Sequence, residues 1–193
     1  MVNIMLPVPF DGSYWVVPGK LLAGQYPGAL LADGARRKLG RLIDCGVRHV
    51  INLMEPAEPD HCGKYAAPYA DILGHLAAER GLDVTWERYA IRDLGTPPIE
   101  RMVSILDAID AAIGSGKPVY VHCRGGIGRT GTVIGCFLMR HRMAEKHTVL
   151  DSIRTLRRHE PIAYRDSPET EAQRKMVRNW RESRQGLNNI TSF

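Results

Sequence analysis

The chain has 193 residues, of which 44% are hydrophobic, and a formal net charge of +5 at pH 7. This length suits one α/β core, and no apolar run approaches the ~18–20 residues of a membrane-spanning helix. The four cysteines show no C-x-x-C pairing, and the first ten residues do not resemble a signal peptide. We therefore expect one domain over residues 1–193 with its core at 13–184, acting as a monomer in the reducing cytoplasm.

Basic residues concentrate in the last third of the chain, from Arg140 onward. Proteins that bind single-stranded nucleic acid interleave such residues with aromatic ones. Here only Tyr164 and Trp180 accompany the positive charges, which recur at helical spacing. The pattern therefore favours solvated helix faces and no nucleic-acid partner, although a basic surface would still steer anionic substrates toward the protein.

Hydrophobic periodicity predicts alternating strands and helices along most of the chain. Two short strands separated by a Pro-Gly turn are expected between Tyr14 and Gly28. Further strands are predicted at 47–53, 83–91 and 119–121, and helices at 31–42, 72–77, 99–113, 130–139, 149–156 and 168–184. A parallel strand–helix–strand unit is right-handed and places the loops after both strands at one edge of the sheet. The loops at Asp93 and Cys123 should therefore meet in space.

The stretch from Val119 to Thr132 carries the strongest chemical signal. A short β-branched strand leads into Cys123, a glycine-rich turn and Arg129, and an apolar helix follows. Glycines allow backbone N–H groups to converge, and a helix N-terminus adds its positive dipole, so such a turn can bind a phosphate-sized dianion. The same field favours the thiolate of a cysteine at its floor. Arg129 can offer a planar fork of two donors to the phosphate oxygens.

Three other interpretations of this stretch fit less well. The run from Gly126 to Gly131 satisfies G-x-G-x-x-G, but Asp151, the acidic residue that a dinucleotide fold would need, lies in a predicted helix. The phosphate loop of nucleotide-binding proteins requires a lysine after its glycines, and none follows here. A purely structural glycine turn would leave Arg129 unexplained.

Residues His122 to Gly131 resemble the H-C-x5-R-[ST] signature of cysteine-dependent tyrosine and dual-specificity phosphatases. The resemblance implies a single α/β domain with a central, mostly parallel or mixed sheet of about five strands and helices on both sides. It implies that Cys123 is the nucleophile, that Arg129 binds the phosphate and that no metal or cofactor is needed. The backbone N–H groups that would also bind phosphate belong to Arg124, Gly125, Gly126, Ile127, Gly128 and Arg129.

Three further residues receive roles from the same resemblance. Asp93, in Asp-Leu-Gly-Thr-Pro, is similar to the family's D-x-G-x-P acid loop and would protonate the leaving group; otherwise it would simply cap a turn. Thr130 would hydrogen-bond the sulfur as it departs, and His122 would order the loop without acting as a base. The segment from Ser167 to Gln173 only faintly resembles the family's glutamine-bearing loop, so no residue is assigned there.

The substrate expected from this resemblance is a phosphoprotein, with phosphotyrosine first and phosphoserine or phosphothreonine also considered. Arg124, a less usual cation directly after the nucleophile, favours an anionic phosphoinositide or an inositol phosphate as the alternative. The uncharged Ile127 argues against that alternative. A non-catalytic phosphoprotein-binding module and a rhodanese-type sulfur carrier are the alternatives from other classes.

A Pro- and Asp-rich loop is predicted for residues 55–68. In the resembling family this segment borders the mouth of the site, so Tyr65 or Tyr69 would flank the substrate ring. The run from Asp60 to Cys62 is interpreted as surface loop and not as a metal site, because no second cluster has ligand spacing. The sequence leaves open which cysteine would form a disulfide with an oxidised Cys123, and Cys62 is the candidate to test.

Overall fold

The computed structural model describes residues 6–59 and 68–182. Its strands are β1 (Ser13–Val17), β2 (Leu21–Gly24), β3 (His49–Asn52), β4 (Thr85–Arg88) and β5 (Val119–His122). Its helices are α1 (Ala32–Asp44), α2 (Ala70–Glu79), α3 (Ile99–Gly114), α4 (Gly128–Arg140), α5 (Val149–Leu156) and α6 (Glu171–Arg178). None of these helices is long and apolar enough to cross a membrane. The predictions for Cys62 and Tyr65, and for the run from Asp60 to Cys62, fall outside the described residues.

The five strands form one mixed sheet in the order β1-β2-β5-β3-β4. β1 and β2 are antiparallel and joined by a tight turn, in which the Lys20 N–H donates to the Val17 carbonyl at 3.0 Å. The other three neighbouring pairs are parallel. The predicted fold class, an α/β domain with a mixed sheet, is confirmed.

Side chains of the central strand β5 alternate between the two faces of the sheet, as the period of a strand requires. Val119 and Val121 pack with residues of α3, α4, α5 and α6 on one face, whereas Tyr120 packs with residues of α1 and α2 on the other. All three side chains are fully buried. Full burial of a valine-sized side chain contributes ~1.5–3 kcal/mol. The strand that leads to Cys123 is therefore held by core packing on both faces.

The carboxyl ends of four strands lie side by side at one edge of the sheet. Gly24 and Asn52 both pair with His122, and Asn52 also pairs with Arg88. The chain leaves β4, passes through α3 and returns in β5, so β3 lies between the two strands that this crossover joins. The loops that follow β4 and β5 therefore start from the same edge, as the sequence predicts.

Three predicted elements are longer than the observed ones. The strands predicted at 47–53 and 83–91 are regular only over His49–Asn52 and Thr85–Arg88. The helix predicted at 168–184 begins at Glu171, because the Thr170 side chain caps its amino end, and it ends at Arg178. The apolar pattern that suggested a longer helix continues to Trp180, which is buried at the turn that follows Arg178.

Candidate active site

The turn between β5 and α4, residues 123–128, forms the floor of the site. At Gly126 the backbone φ is 70°, a left-handed conformation that glycine adopts without steric cost. A Cβ at this position would lie 2.5 Å from the Gly24 carbonyl carbon and 2.7 Å from the Gln25 nitrogen. The turn therefore fits against the end of β2 because residue 126 is glycine.

Hydrogen bonds from outside the turn fix its carbonyl groups. The Tyr26 N–H donates to the Arg124 carbonyl at 2.9 Å, and the Ser167 hydroxyl donates to the Ile127 carbonyl at 2.8 Å. In a turn of this kind, whose carbonyls are bound from outside, peptide N–H groups can converge on an anion. Because α4 begins at Gly128, its dipole adds positive potential at the same point.

His122 joins this turn to the interior of the protein. Burial lowers the pKa of its imidazole to about 3, so the ring is neutral. Its Nδ1 lies 3.0 Å from the Cys123 carbonyl oxygen, and its Nε2 lies 2.7 Å from the Tyr69 hydroxyl. Since a carbonyl only accepts, the neutral ring donates from Nδ1 and accepts the Tyr69 proton at Nε2. His122 thus anchors the turn at the Cys123 carbonyl.

Tyr69 lies in the core and not at the mouth of the site. It is 3% exposed and packs edge-on against Tyr26 and His122. The prediction that Tyr69 flanks the substrate ring is therefore wrong. The prediction came from the resembling family, in which the segment after this strand borders the site, whereas the Tyr69 hydroxyl is the buried donor that His122 needs.

Arg129, the second residue of α4, has only 1% of its side chain exposed. Its Nη1 and Nη2 lie 2.5 and 2.7 Å from the two carboxylate oxygens of Glu58. Nη1 also donates to the Ile91 carbonyl at 3.1 Å, and Nη2 lies 2.9 Å from an Asp93 carboxylate oxygen. The Nε–H is buried and has no hydrogen-bond partner among residues 6–59 and 68–182. The guanidinium is thus fixed at its Nη groups while its Nε donor stays unpaired.

Glu58 is a functional candidate that no sequence pattern indicates. Burial alone would raise the pKa of its carboxyl, but the hydrogen bonds and charge of Arg129 outweigh burial and hold the pKa below its usual value. An ionised carboxylate in this position holds the Arg129 fork in one orientation. No motif marks Glu58. The one signal that points to it is its place in the loop after β3, at the same sheet edge as Cys123.

Arg124 also forms an ion pair and a hydrogen bond with Glu58. Its Nε lies 3.3 Å from a Glu58 carboxylate oxygen, and its Nη2 donates to the Glu58 carbonyl. Only 19% of the Arg124 side chain is exposed. Arg124 therefore does not present an unpaired cation at the lip of the site, as its residue type alone had suggested.

The structure brings Cys123, Arg129 and Asp93 together but places Thr130 differently from expectation. Cys123 is 3% exposed at the end of β5 and forms no disulfide. Asp93, with 51% of its side chain exposed, reaches Arg129, so the two loops meet as the crossover predicts. The buried Thr130 hydroxyl donates to the Gly24 carbonyl at 3.5 Å. Its predicted hydrogen bond to the sulfur is not formed, because the hydroxyl is directed at the end of β2.

The segment that precedes α6 borders the same turn. One Glu169 carboxylate oxygen pairs with Arg165 at 2.5 Å. A Cβ on Gly128 would lie 3.2 Å from the other Glu169 oxygen and 3.1 Å from the amide oxygen of the buried Gln173. Gly128, the first residue of α4, therefore leaves room for the side chains of Glu169 and Gln173.

Comparison with known proteins agrees with this arrangement. A family model described as PTP-SAK, Swiss Army Knife protein, DSP-PTPase phosphatase domain matches residues 11–187. The mouse protein tyrosine phosphatase domain-containing protein 1 is 27% identical over 180 residues, which are 93% of this chain and 23% of the mouse protein. The chain thus spans less than a quarter of the length of this curated relative.

Two solved structures share the fold at low sequence identity. Kinase associated phosphatase, with serine in place of its catalytic-site cysteine, is 20% identical with a TM-score of 0.64, covering 81% of this chain and 83% of that one. PTPMT1 in complex with PI(5)P is 17% identical with a TM-score of 0.62, covering 88% and 94%. The family model, which spans nearly the whole described chain, shows that this chain belongs to the PTP-SAK family of DSP-PTPase phosphatase domains.

Proposed function

We propose that this protein hydrolyses phosphotyrosine esters in proteins through a covalent phosphocysteine intermediate on Cys123. The observation that carries the proposal is the buried Nε–H of Arg129, which has no partner in the described part of the chain and lies beside the turn that begins at Cys123. Leaving a buried donor unsatisfied costs ~1–3 kcal/mol, and more for a charged group. A phosphate oxygen held in the turn would remove that cost.

The bound phosphate would be held by the Arg129 Nε–H and by the peptide N–H groups of residues 124–129. Such donors act on the equatorial oxygens, which carry the charge in the transition state of phosphoryl transfer. Glu58 keeps the guanidinium in place before substrate arrives. This preorganisation means that little rearrangement is needed when the phosphate binds.

In the first step the Cys123 thiolate attacks phosphorus in line with the ester oxygen. The S–P bond forms while the P–O bond breaks, and the departing phenolate oxygen takes the proton of Asp93. A positioned proton transfer of this kind contributes ~10²–10⁴ in rate. Asp93 is placed for this role because it lies beside Arg129 at the site and half of its side chain is open to a ligand.

In the second step a water molecule attacks the phosphocysteine and gives its proton to Asp93. The S–P bond breaks, inorganic phosphate leaves and the thiolate is restored. The neutral His122 takes no proton in either step and holds the turn at the Cys123 carbonyl. The thiol must remain reduced for this cycle, so we propose a reducing compartment such as the cytoplasm.

A phosphoprotein is proposed ahead of a phosphoinositide because of Arg124. A free cation at the lip of the site would favour a substrate with a second phosphate. Arg124 is instead paired with Glu58, so it does not offer a free charge for a second phosphate. The solved PTPMT1 structure holds PI(5)P, so a phosphoinositide is kept as one arm of the test.

The proposal is tested by phosphate release from a phosphotyrosyl peptide in reducing buffer. We expect turnover by the wild type, almost none by Cys123→Ser, and wild-type rates for Cys45→Ser, the matched control. Cys45 is a free cysteine at the end of α1, remote from the turn. A phosphothreonyl peptide and phosphoinositide micelles complete the substrate panel.

Each alternative has its own outcome in this assay. Release that needs Cys123 but occurs only from the phosphoinositide would replace the protein substrate with a lipid. No release from any ester, together with retention of a phosphotyrosyl peptide by the wild type, would indicate a binding module. Equal rates for wild type and Cys123→Ser would contradict the cysteine mechanism altogether.

A further inference from the structure

The loop that carries Asp93 has little internal structure to hold it. Its backbone makes one short turn, in which the Gly95 N–H donates to the Arg92 carbonyl at 3.0 Å. Between them Leu94 has a φ of 59°, a left-handed conformation that costs a non-glycine residue ~1–2 kcal/mol. The Leu94 side chain is 53% exposed, so core packing does not repay this cost. The loop therefore needs contacts from elsewhere.

Those contacts come from the first turn of α6. The Thr170 hydroxyl donates to the Leu94 carbonyl at 3.3 Å, and the Gln173 Nε2 donates to the Gly95 carbonyl at 3.0 Å. Both carbonyls that directly follow Asp93 are thus bound by side chains of one helix end. Gln173 is fully buried, so its hydrogen bond is shielded from water.

Ordinary helix capping explains only half of this arrangement. The Gln173 Oε1 accepts from the Glu169 and Thr170 N–H groups at 3.1 Å each, which completes a capping box. A glutamate would serve that purpose equally well, because capping uses only the oxygen. The amide nitrogen is the part that reaches the acid loop, and only glutamine supplies it.

The helix end that holds the acid loop is itself fixed to the nucleophile turn. The Ser167 hydroxyl donates to the Ile127 carbonyl, and the Gln173 side chain lies against Gly128. Val177, one turn further along α6, packs directly on Gly135 of α4. One short segment therefore contacts both the loop of Asp93 and the turn of Cys123.

We propose that Thr170 and Gln173 are positioning residues that hold Asp93 at a fixed distance from Cys123. This inference rests on the proposed function, in which Asp93 protonates the leaving group. The need for that proton grows with the basicity of the leaving group. Damage to the positioning of Asp93 should therefore harm basic leaving groups and spare acidic ones, whereas general damage to the fold would harm both.

The experiment compares two aryl phosphates with the same variants. Phenyl phosphate releases a phenol about as basic as tyrosine, whose pKa is about 10, and 2,4-dinitrophenyl phosphate releases a phenolate that departs without a proton. Gln173→Glu keeps the capping oxygen and loses the donor to Gly95. Thr170→Val loses the donor to Leu94 together with the cap of α6, and Thr170→Ser, the matched control, keeps both.

For Gln173→Glu and Thr170→Val we expect kcat on phenyl phosphate to fall ~10- to 100-fold, a part of the ~10²–10⁴ that a positioned acid contributes. On 2,4-dinitrophenyl phosphate kcat should stay close to the wild-type value, and Thr170→Ser should match the wild type on both esters. Equal losses on the two esters, or no loss on either, would overturn the inference. A wild type without Cys123-dependent turnover would instead overturn the proposed function on which it rests.

Discussion

At the scale of single residues, two carboxylates contact one guanidinium, and they differ in their surroundings. The Glu58 side chain is 9% exposed and the Asp93 side chain 51%. Exposed ion pairs contribute ~0–1 kcal/mol, whereas removing one partner of a buried pair costs ~3–5 kcal/mol. Glu58 is therefore the carboxylate that fixes Arg129, whereas the ion pair of Asp93 contributes little to its orientation.

The substitution Glu58→Gln tests whether Glu58 is the carboxylate that fixes Arg129. It keeps the size of the side chain and removes the charge that orients Arg129. We expect kcat/KM for a phosphotyrosyl peptide to fall roughly 10- to 100-fold, because small misplacements of a catalytic group have effects of this size. Glu55→Gln, at an exposed position of the same segment, is the control and should retain activity. Equal activity of the two variants would show that Arg129 is oriented without Glu58.

At the scale of secondary-structure elements, the turn between β5 and α4 depends on the close approach of β2. Gly126 and Gly116 both have positive φ, 70° and 76°. A Cβ on Gly116 would meet nothing within 4 Å, whereas one on Gly126 would meet the backbone of Gly24 and Gln25. A residue with a side chain would thus be strained by the positive φ at both positions, but only at position 126 would its Cβ overlap other atoms.

The pair Gly116→Ala and Gly126→Ala separates these two effects. Gly116→Ala should lower the free energy of unfolding by ~1–2 kcal/mol, the cost of the left-handed conformation, and leave phosphatase activity unchanged. Gly126→Ala should lose a further ~1–3 kcal/mol through overpacking and abolish turnover. Denaturant unfolding and kcat measure the two quantities. Similar losses in both variants would mean that the turn can shift away from β2.

The elements of this fold follow from local patterns, and much of the candidate site follows from their order. Period-two and helical spacing predict the strand, turn and helix around Cys123, and the right-handed crossover predicts that Asp93 reaches the same edge. Glu58 and Gln173 could not be found in this way. Their partners lie in distant loops, and which side chains meet there depends on the packing of the loops and not on the spacing of residues.

Sequence patterns also leave out the direction of a side chain and the point at which a helix ends. The sequence places Thr130 directly after Arg129, yet only the structure shows that its hydroxyl turns toward Gly24. The end of α6 was predicted too late, because a buried Trp180 continues the apolar pattern past the last helical residue. The spacing of apolar residues indicates which side chains are buried, but a buried side chain such as Trp180 can lie outside the helix.

At the scale of the whole molecule, two groups make opposite contributions to stability as the pH changes. Burial lowers the pKa of His122 from 6.5 to about 3. Burial also raises the pKa of Glu160, in the segment after α5, from 4.5 to about 7. Between pH 4.5 and 6.5, acidification protonates His122 only in the unfolded chain, which destabilises the fold. In the same range Glu160 is protonated only in the folded chain, which stabilises it.

These opposing titrations predict a stability profile that one substitution changes. Each contributes about 1.4 kcal/mol per pH unit at most, with opposite sign. Burial lowers the pKa of His49 as well, which adds to the His122 contribution. From pH 6.5 to 5 the free energy of unfolding should therefore fall more steeply in Glu160→Gln than in the wild type, by up to roughly 1 kcal/mol per unit, because protonation of Glu160 no longer offsets protonation of the histidines in the unfolded chain. Denaturant titrations at several pH values measure the slopes, and equal slopes for the two proteins would contradict the prediction.

The contact between Asp93 and Arg129 also bears on how the catalytic cycle ends. Asp93 and Glu58 pair with the Nη groups of Arg129, so a phosphate that binds at Nε meets a guanidinium whose charge is already partly neutralised. Inorganic phosphate, the last ligand of the proposed cycle, would therefore lie next to two carboxylates. Their negative charge weakens the attraction between the guanidinium and the product. The two side chains that orient Arg129 would thus also favour the release of phosphate.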